Sequence, residues 1–353
     1  MNQRIKKLLG KLRENKLDGL IVSLASNISY LTQYASRDSY LLISPQGNTY
    51  FTDSRYTEEA REGLKGIASV KKVNGSVFKM IGESCLTLGL KQVGFEERYL
   101  AYSEFKKINS SLKGKARLIP FHSLIESLRQ IKDAQELKKI RKAIQITAKA
   151  LKFIRTFIRP GLKEIEVVAE LERFIRYHGA SNRAFDIIVA SGPNSSFPHH
   201  ISSARKLTKD EPVLIDMGVD YGGYKCDLTR VFFLDKINAL IGEIYSIVRD
   251  AQERAFRKIK PACRISEIDS ASRQYIVQKG YGECFGHNLG HGIGLDVHET
   301  PYISGKEDSS LKKGMVFTVE PAIYLPDKFG IRIEDMVLVT REGCEVLSGS
   351  VHK

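Results

Sequence analysis

The 353-residue chain has no apolar run near the ~18–20 residues that a membrane-spanning helix requires, and its longest runs, such as Gly19 to Ser23, are strand-sized. A helical integral membrane protein is thereby excluded. Cysteine is scarce and unpatterned. Cys85, Cys226, Cys263, Cys284 and Cys344 are odd in number, widely spaced and without a C-x-x-C, which argues against both a disulfide framework and a thiolate zinc site. Low-complexity blocks and repeats with a period of about 20–50 residues are missing too, which sets disordered tracts and solenoids aside. The N-terminus lacks the apolar centre of a secretion signal. Ile5, Leu8, Leu9 and Leu12 instead follow helical spacing among charged residues, so a cytoplasmic location is expected.

What is present is an ordinary globular composition, 42% apolar and 27% charged, enough for one large or two average domains with a proper core. The net charge is +14. Residues 1–130 carry 21 Lys and Arg against 12 Asp and Glu, and the remainder 34 against 29. The excess is spread as pairs such as Lys71-Lys72 and Lys106-Lys107 without interleaved aromatics, so it reads as solvated basic surface and a nucleic-acid partner is not expected.

Along residues 1–121, short β-rich runs (near 19–23, 39–44, 48–52, 92–95 and 117–120) alternate with helical patterns (near 3–16 and 54–64), which predicts a small α/β domain. Residues 122–132 read as a linker, with Ser123 and Glu126 at capping-box spacing. From 133 to 353 the pattern changes. Helices near 133–157 and 163–179, broken at Pro160-Gly161, are followed by strands near 186–190, 212–219, 224–234, 314–320 and 331–339, with helices near 238–259 and 265–279 between them. Hairpin-paired strands with helices in blocks predict an α+β domain on a mostly antiparallel sheet.

Two hairpins carry paired carboxylates. Val213 to Met217 and Tyr224 to Arg230 flank Gly222-Gly223; a turn centred near 221/222 would set Asp216 opposite Asp227. Thr318-Val-Glu320-Pro and Arg332-Ile-Glu334-Asp centre on 327, within good turn chemistry, and present Glu320 and Glu334 from facing strands. Two carboxylates ~5 Å apart on one face repel each other unless a positive charge lies between them. Between the hairpins runs Gly286 to Glu299, a Gly-rich segment holding His287, His291 and His298, where glycines admit close backbone approach and histidines offer neutral nitrogen ligands. Four carboxylates and one imidazole can hold two divalent ions. His287-x3-His291 alone is a weak zinc signal, since it lacks the Glu of H-E-x-x-H. Asp220, Asp296, Glu299 and Asp335 read as solvated or capping residues.

The ordered set resembles the dinuclear metallopeptidases of the pita-bread fold, the family of methionine aminopeptidase, aminopeptidase P and prolidase. The stretches Ser191 to His199, Gly290 to Glu299, Gly314 to Pro321 and Gly330 to Asp335 agree with that family. The resemblance implies a pita-bread (creatinase/aminopeptidase) catalytic domain, with metal ligands Asp216, Asp227, His291, Glu320 and Glu334. Asp227 and Glu334 would bridge the two ions, Asp216 would bind one, and His291 with Glu320 would bind the other. The ions would be Mn2+ or, alternatively, Co2+, Zn2+ or Fe2+. Glu320 would also be the general base, and His199 and His298 the substrate-side histidines. His287 matches a third active-site histidine. Arg332 and Thr229 lie two residues from Glu334 and Asp227, on the faces of those ligands, and suit the task of orienting carboxylates. Phe185 and Val297 resemble contacts of a proline pocket, and core packing explains them equally well.

The N-terminal α/β domain separates aminopeptidase P and prolidase from methionine aminopeptidases. The expectation is therefore metal-dependent hydrolysis of the Xaa-Pro bond in a peptide with proline at its second position, by a homodimer. Prolidases often carry an arginine shortly after the His298 motif, and Tyr302 stands there in this chain. That departure favours an aminopeptidase acting on peptides longer than two residues, with a dipeptidase, or a non-enzymatic binding protein on the same fold, as alternatives.

Overall fold

Ile5, Leu8 and Leu12 form the buried stripe of the first helix, Gln3–Glu14, whose N-terminus is capped by the side chain of Asn2 accepting from the Arg4 N–H. The chain then enters Gly19–Val22, a strand buried at all four positions because it is flanked on both sides. It pairs antiparallel with Ser39–Ser44 and parallel with Gln92–Glu96. The completed six-stranded mixed sheet runs Ser69–Lys72, Gly47–Thr52, Ser39–Ser44, Gly19–Val22, Gln92–Glu96, Arg117–Phe121. Three helices (Ala25–Thr32, Val77–Thr87, Tyr102–Ser111) and the edge strand Ser69–Lys72 were not apparent from pattern. That strand is mostly exposed and ends in two lysines, so it lacks apolar alternation.

This computed structural model describes residues 2–351; Met1, His352 and Lys353, inside the expected limits 1–121 and 133–353, lie outside the described residues. The chain divides into two compact units between Arg129 and Gln130. The stretch 122–132 is thus shared between the units. Glu126–Arg129 is a short helix of the first, and Ser123 adopts a left-handed φ of 52° in place of the expected cap. The capping box forms instead at Asp133 and Glu136, opening the 24-residue helix Ala134–Phe157.

In the second unit every strand pairing among the described residues is antiparallel. Two apolar cores hold it together. Ala134–Phe157 and Glu164–Tyr177 bring Ile140, Ile144 and Leu171 against Ile215 and Leu228, while Ala239–Lys258 and Ile265–Gln278 bring Ile244, Val248 and Ile268 against Phe317 and Ile331. Each such side chain contributes roughly 1.5–3 kcal/mol on burial. No helix among the described residues is long and apolar enough to cross a membrane.

Candidate metal centre

The first hairpin turns on Gly222 and Gly223, whose φ angles of 58° and 85° suit a two-residue I′ turn. Both glycines occupy central positions, so the turn is centred between them and the register differs by two from the sequence expectation. Asp216 faces Thr229, and Asp227 is not its cross-strand partner. The ladder is also interrupted. Pro212–Met217 pairs with Leu228–Phe233 and Val219–Tyr221 with Tyr224–Lys225, leaving Gly218, Cys226 and Asp227 in the gap. A Cβ on Gly218 would stand 1.8 Å from the Cys226 carbonyl oxygen, so only glycine fits there.

The second hairpin has the expected register. Val319 faces Asp335 on one side of a break and Ala322 faces Arg332 on the other, which sets Glu320 opposite Glu334 in the gap. His291 enters from the short strand Gly290–Gly292. Cβ atoms on its neighbours would stand 1.9 Å from the Thr318 carbonyl and 2.4 Å from that of Thr300.

These elements converge on one cluster. Ligand-capable atoms of Asp227, His291 and Glu334 all lie within 4.8 Å of one another. The His291 Nδ1–H donates to the Gly292 carbonyl at 3.1 Å, so its Nε2 is the free lone pair; it stands 3.4 Å from Glu320 Oε1 and 3.7 Å from Asp227 Oδ2. Burial, and then the neighbouring His298, lowers the His291 pKa to about 4, keeping the ring neutral. Burial raises the Glu320 carboxyl to about 7. Asp227 and Glu334 are pushed well above the carboxylate range by burial and by the surrounding acids. One oxygen each of Asp216 and Asp227 is buried with no hydrogen-bond partner. Orphaned carboxylate oxygens, excess negative charge and a neutral imidazole nitrogen fit oxygen-preferring divalent cations. Cys226 is not a competitor, since burial raises its thiol to about 11.

Arg332 and Thr229 cross over relative to the sequence reading. Thr229 Oγ1 donates to Glu334 Oε2 at 2.7 Å, and Arg332 Nη2 donates to Asp216 Oδ2 at 2.6 Å. Arg332 Nε reaches Thr229 Oγ1 at 3.1 Å, linking the two. Arg332 Nη1 also donates to the Tyr324 hydroxyl at 2.7 Å, which in turn lies 3.2 Å from His287 Nε2. With His287 Nδ1 on the Asn288 carbonyl at 2.7 Å, this relay assigns a neutral ring, and burial lowers its pKa to about 4. Tyr324 escaped the sequence reading, although period-2 spacing from Glu320 places it on that residue's face.

His199, His287 and His298 line, with the four carboxylates and His291, a cleft of about 740 Å3 that also includes Phe185, Val297 and Tyr302. The His298 ring lies 4.3 Å from that of His291, centroid to centroid. Other supports were not visible in sequence. Arg273 donates to the carbonyls of Phe285 and His287, and its ion-pair partner Asp269 accepts from the Leu289 N–H. Two acids expected to be solvated or capping residues are buried. Glu299 is paired with Lys132 at 2.6 Å and Asp335 with Arg230 at 2.6 Å.

Residues 138–341 match Metallopeptidase family M24, and residues 4–131 match the Creatinase/Prolidase N-terminal domain. The chain belongs to this metallopeptidase family, with a creatinase-type N-terminal domain followed in sequence by a pita-bread catalytic domain. The Xaa-Pro dipeptidase of Pyrococcus horikoshii is 36% identical over 353 residues, which is 99% of this chain and 97% of that protein. The solved structure of the Xaa-Pro dipeptidase from Bacillus anthracis superposes with a TM-score of 0.95 at 38% identity, covering 99% of this chain and 98% of the other. The X-Pro aminopeptidase from Thermotoga maritima gives 0.89 at 37% identity, with 98% and 97% covered. The likenesses to the two dipeptidases favour the dipeptidase alternative over the aminopeptidase expected from Tyr302.

Proposed function

We propose that this metallopeptidase is a Xaa-Pro dipeptidase, hydrolysing the bond between an N-terminal residue and a C-terminal proline. The observation that carries it is the buried Asp227, His291 and Glu334 cluster in a cleft shared with three further histidines. The dipeptide preference is supported by the relatives named above. Asp216, Asp227, His291, Glu320 and Glu334 would hold two divalent ions, Mn2+ foremost, which supply a water of lowered pKa and polarise the scissile carbonyl. Glu320 takes the proton from the attacking water and returns it to the leaving proline nitrogen. His199 and His298 donate N–H groups to the developing oxyanion. Arg332 and Thr229 hold Asp216 and Glu334 in place. Proline's tertiary amide lacks an N–H and fixes φ, so peptidases that grip an extended backbone handle it poorly and a dedicated site is required. The working form is a cytoplasmic homodimer.

A second reading, Xaa-Pro aminopeptidase, rests on Tyr302, which offers no cation for a substrate carboxylate. Ala-Pro, Ala-Pro-Ala, Ala-Ala-Ala and Met-Ala-Ala assayed with Mn2+ separate the readings. Ala-Pro is expected to be cut fastest. Preference for Ala-Pro-Ala would establish the aminopeptidase, and preference for Met-Ala-Ala would refute proline specificity.

A further inference from the structure

Glu164, the first residue of helix Glu164–Tyr177, is fully buried and belongs to no ligand set or substrate contact described above. Its two oxygens gather the segment that carries His199. Oε1 accepts from the Ser191 N–H and hydroxyl, each at 2.8 Å, and from Asn194 Nδ2 at 3.0 Å. Oε2 accepts from His200 Nε2 at 2.9 Å, the Ser203 N–H at 3.0 Å and the Ser203 hydroxyl at 2.8 Å. The backbone repeats the link, the N–H groups of Glu164 and Ile165 donating to the carbonyls of Arg205 and Ser203. Burial works to raise the pKa of this carboxyl, but the bonds from His200, Ser203, Ser191 and Asn194 outweigh it and hold the pKa below the ordinary value. A buried carboxylate with so many donors is a fixed anchor, since removing its charge would leave several of them unpaired.

The anchored points straddle His199. Asn194 lies before it and His200 directly after it, while the Pro198 carbonyl is held from the other side by Arg332 Nη1 at 3.3 Å. His199 is itself exposed in the cleft and makes no hydrogen bond among the described residues that would orient it, so its place is set through its neighbours.

Resting on the peptidase reading above, we propose that Glu164 is a positioning residue that acts through His199, clamping residues 191–203 so that His199 stands at the scissile bond. An amide at this position offers one acceptor and two donor hydrogens, so Glu164→Gln turns an N–H toward the Ser191 or the Ser203 donors and releases one end of the clamp. A displacement of about 1 Å in a substrate-facing group is worth up to about 100-fold in rate.

The test is a double-mutant cycle on whichever peptide the wild type cleaves, with bound Mn2+ measured in each variant. Glu164→Gln is expected to lower kcat/KM by about tenfold or more with metal content unchanged, and by less than about twofold in a His199→Ala background. Equal losses in the two backgrounds, or no loss, would overturn the proposal. Should Glu164→Gln fail to fold, the Asn194→Ala, Ser203→Ala double variant loosens the same clamp and enters the same cycle. Hydrogen exchange of the metal-free protein gives an independent readout, in which the Ser191 and Ser203 amides are expected to lose protection in the variant. If the wild type cleaves no peptide, the peptidase reading fails, and unchanged protection of those two amides would separately defeat the clamp.

Discussion

At the scale of single residues, the proposed chemistry is divided between groups that line the cleft and groups that hold them. His298 and His199 belong to the first kind. Replacing either by Ala is expected to lower kcat/KM by about 100-fold or more with bound metal nearly unchanged, as for loss of a positioned donor. Loss of metal in His298→Ala would move that residue into the ligand set, and near-normal kinetics would make it a packing histidine. The carboxylates were legible in sequence because each pair brackets a recognisable turn. Their supports were less so. Thr229 and Arg332 were identified on the right faces but each serves the other hairpin's carboxylate, since their side chains reach across strands. Glu299 and Asp335 are buried ion-pair partners in place of the solvated or capping residues expected, because Lys132 and Arg230 lie 167 and 105 residues away in the chain. Local pattern carries no trace of such pairs.

At the scale of elements, both hairpins share one device. Each ladder keeps its register on either side of a break, and the proposed ligands Asp227, Glu320 and Glu334 sit in those breaks. The strands expected over 212–219, 224–234 and 331–339 run through these breaks, because alternation persists across an interruption that only the third dimension requires, and the strand expected over 314–320 stops at Glu320. The first hairpin's register was misplaced by two because the centre of the Gly222-Gly223 turn was misjudged. Helices such as Ala25–Thr32 were missed for a different reason: eight residues, with no side-chain cap, give little periodic signal. The short strand of His291 depends on glycine. Gly290→Ala would drive a Cβ to 1.9 Å from the Thr318 carbonyl, backbone against backbone. A cost of at least about 1–3 kcal/mol is expected, a fall in Tm of roughly 5 °C or more, together with weaker Mn2+ binding. An unchanged Tm and unchanged affinity would show that the strand yields freely.

At the scale of the whole molecule, the fold class was readable because the change from β-rich alternation to long helices and hairpins is strong, and the ordered carboxylates and histidine are specific as a set. The choice between dipeptides and longer peptides was not readable, since Tyr302 reports only which cation is missing at one place. The central claim is that the buried carboxylates of Asp216, Asp227 and Glu334, the half-buried one of Glu320 and one neutral imidazole form a two-ion centre. Its most direct test is the number of Mn2+ ions bound per chain at saturation, measured in the wild type and in Asp227→Ala after mild dialysis. The account predicts two ions in the wild type and loss of paired binding in the variant; one ion or none in the wild type would contradict it.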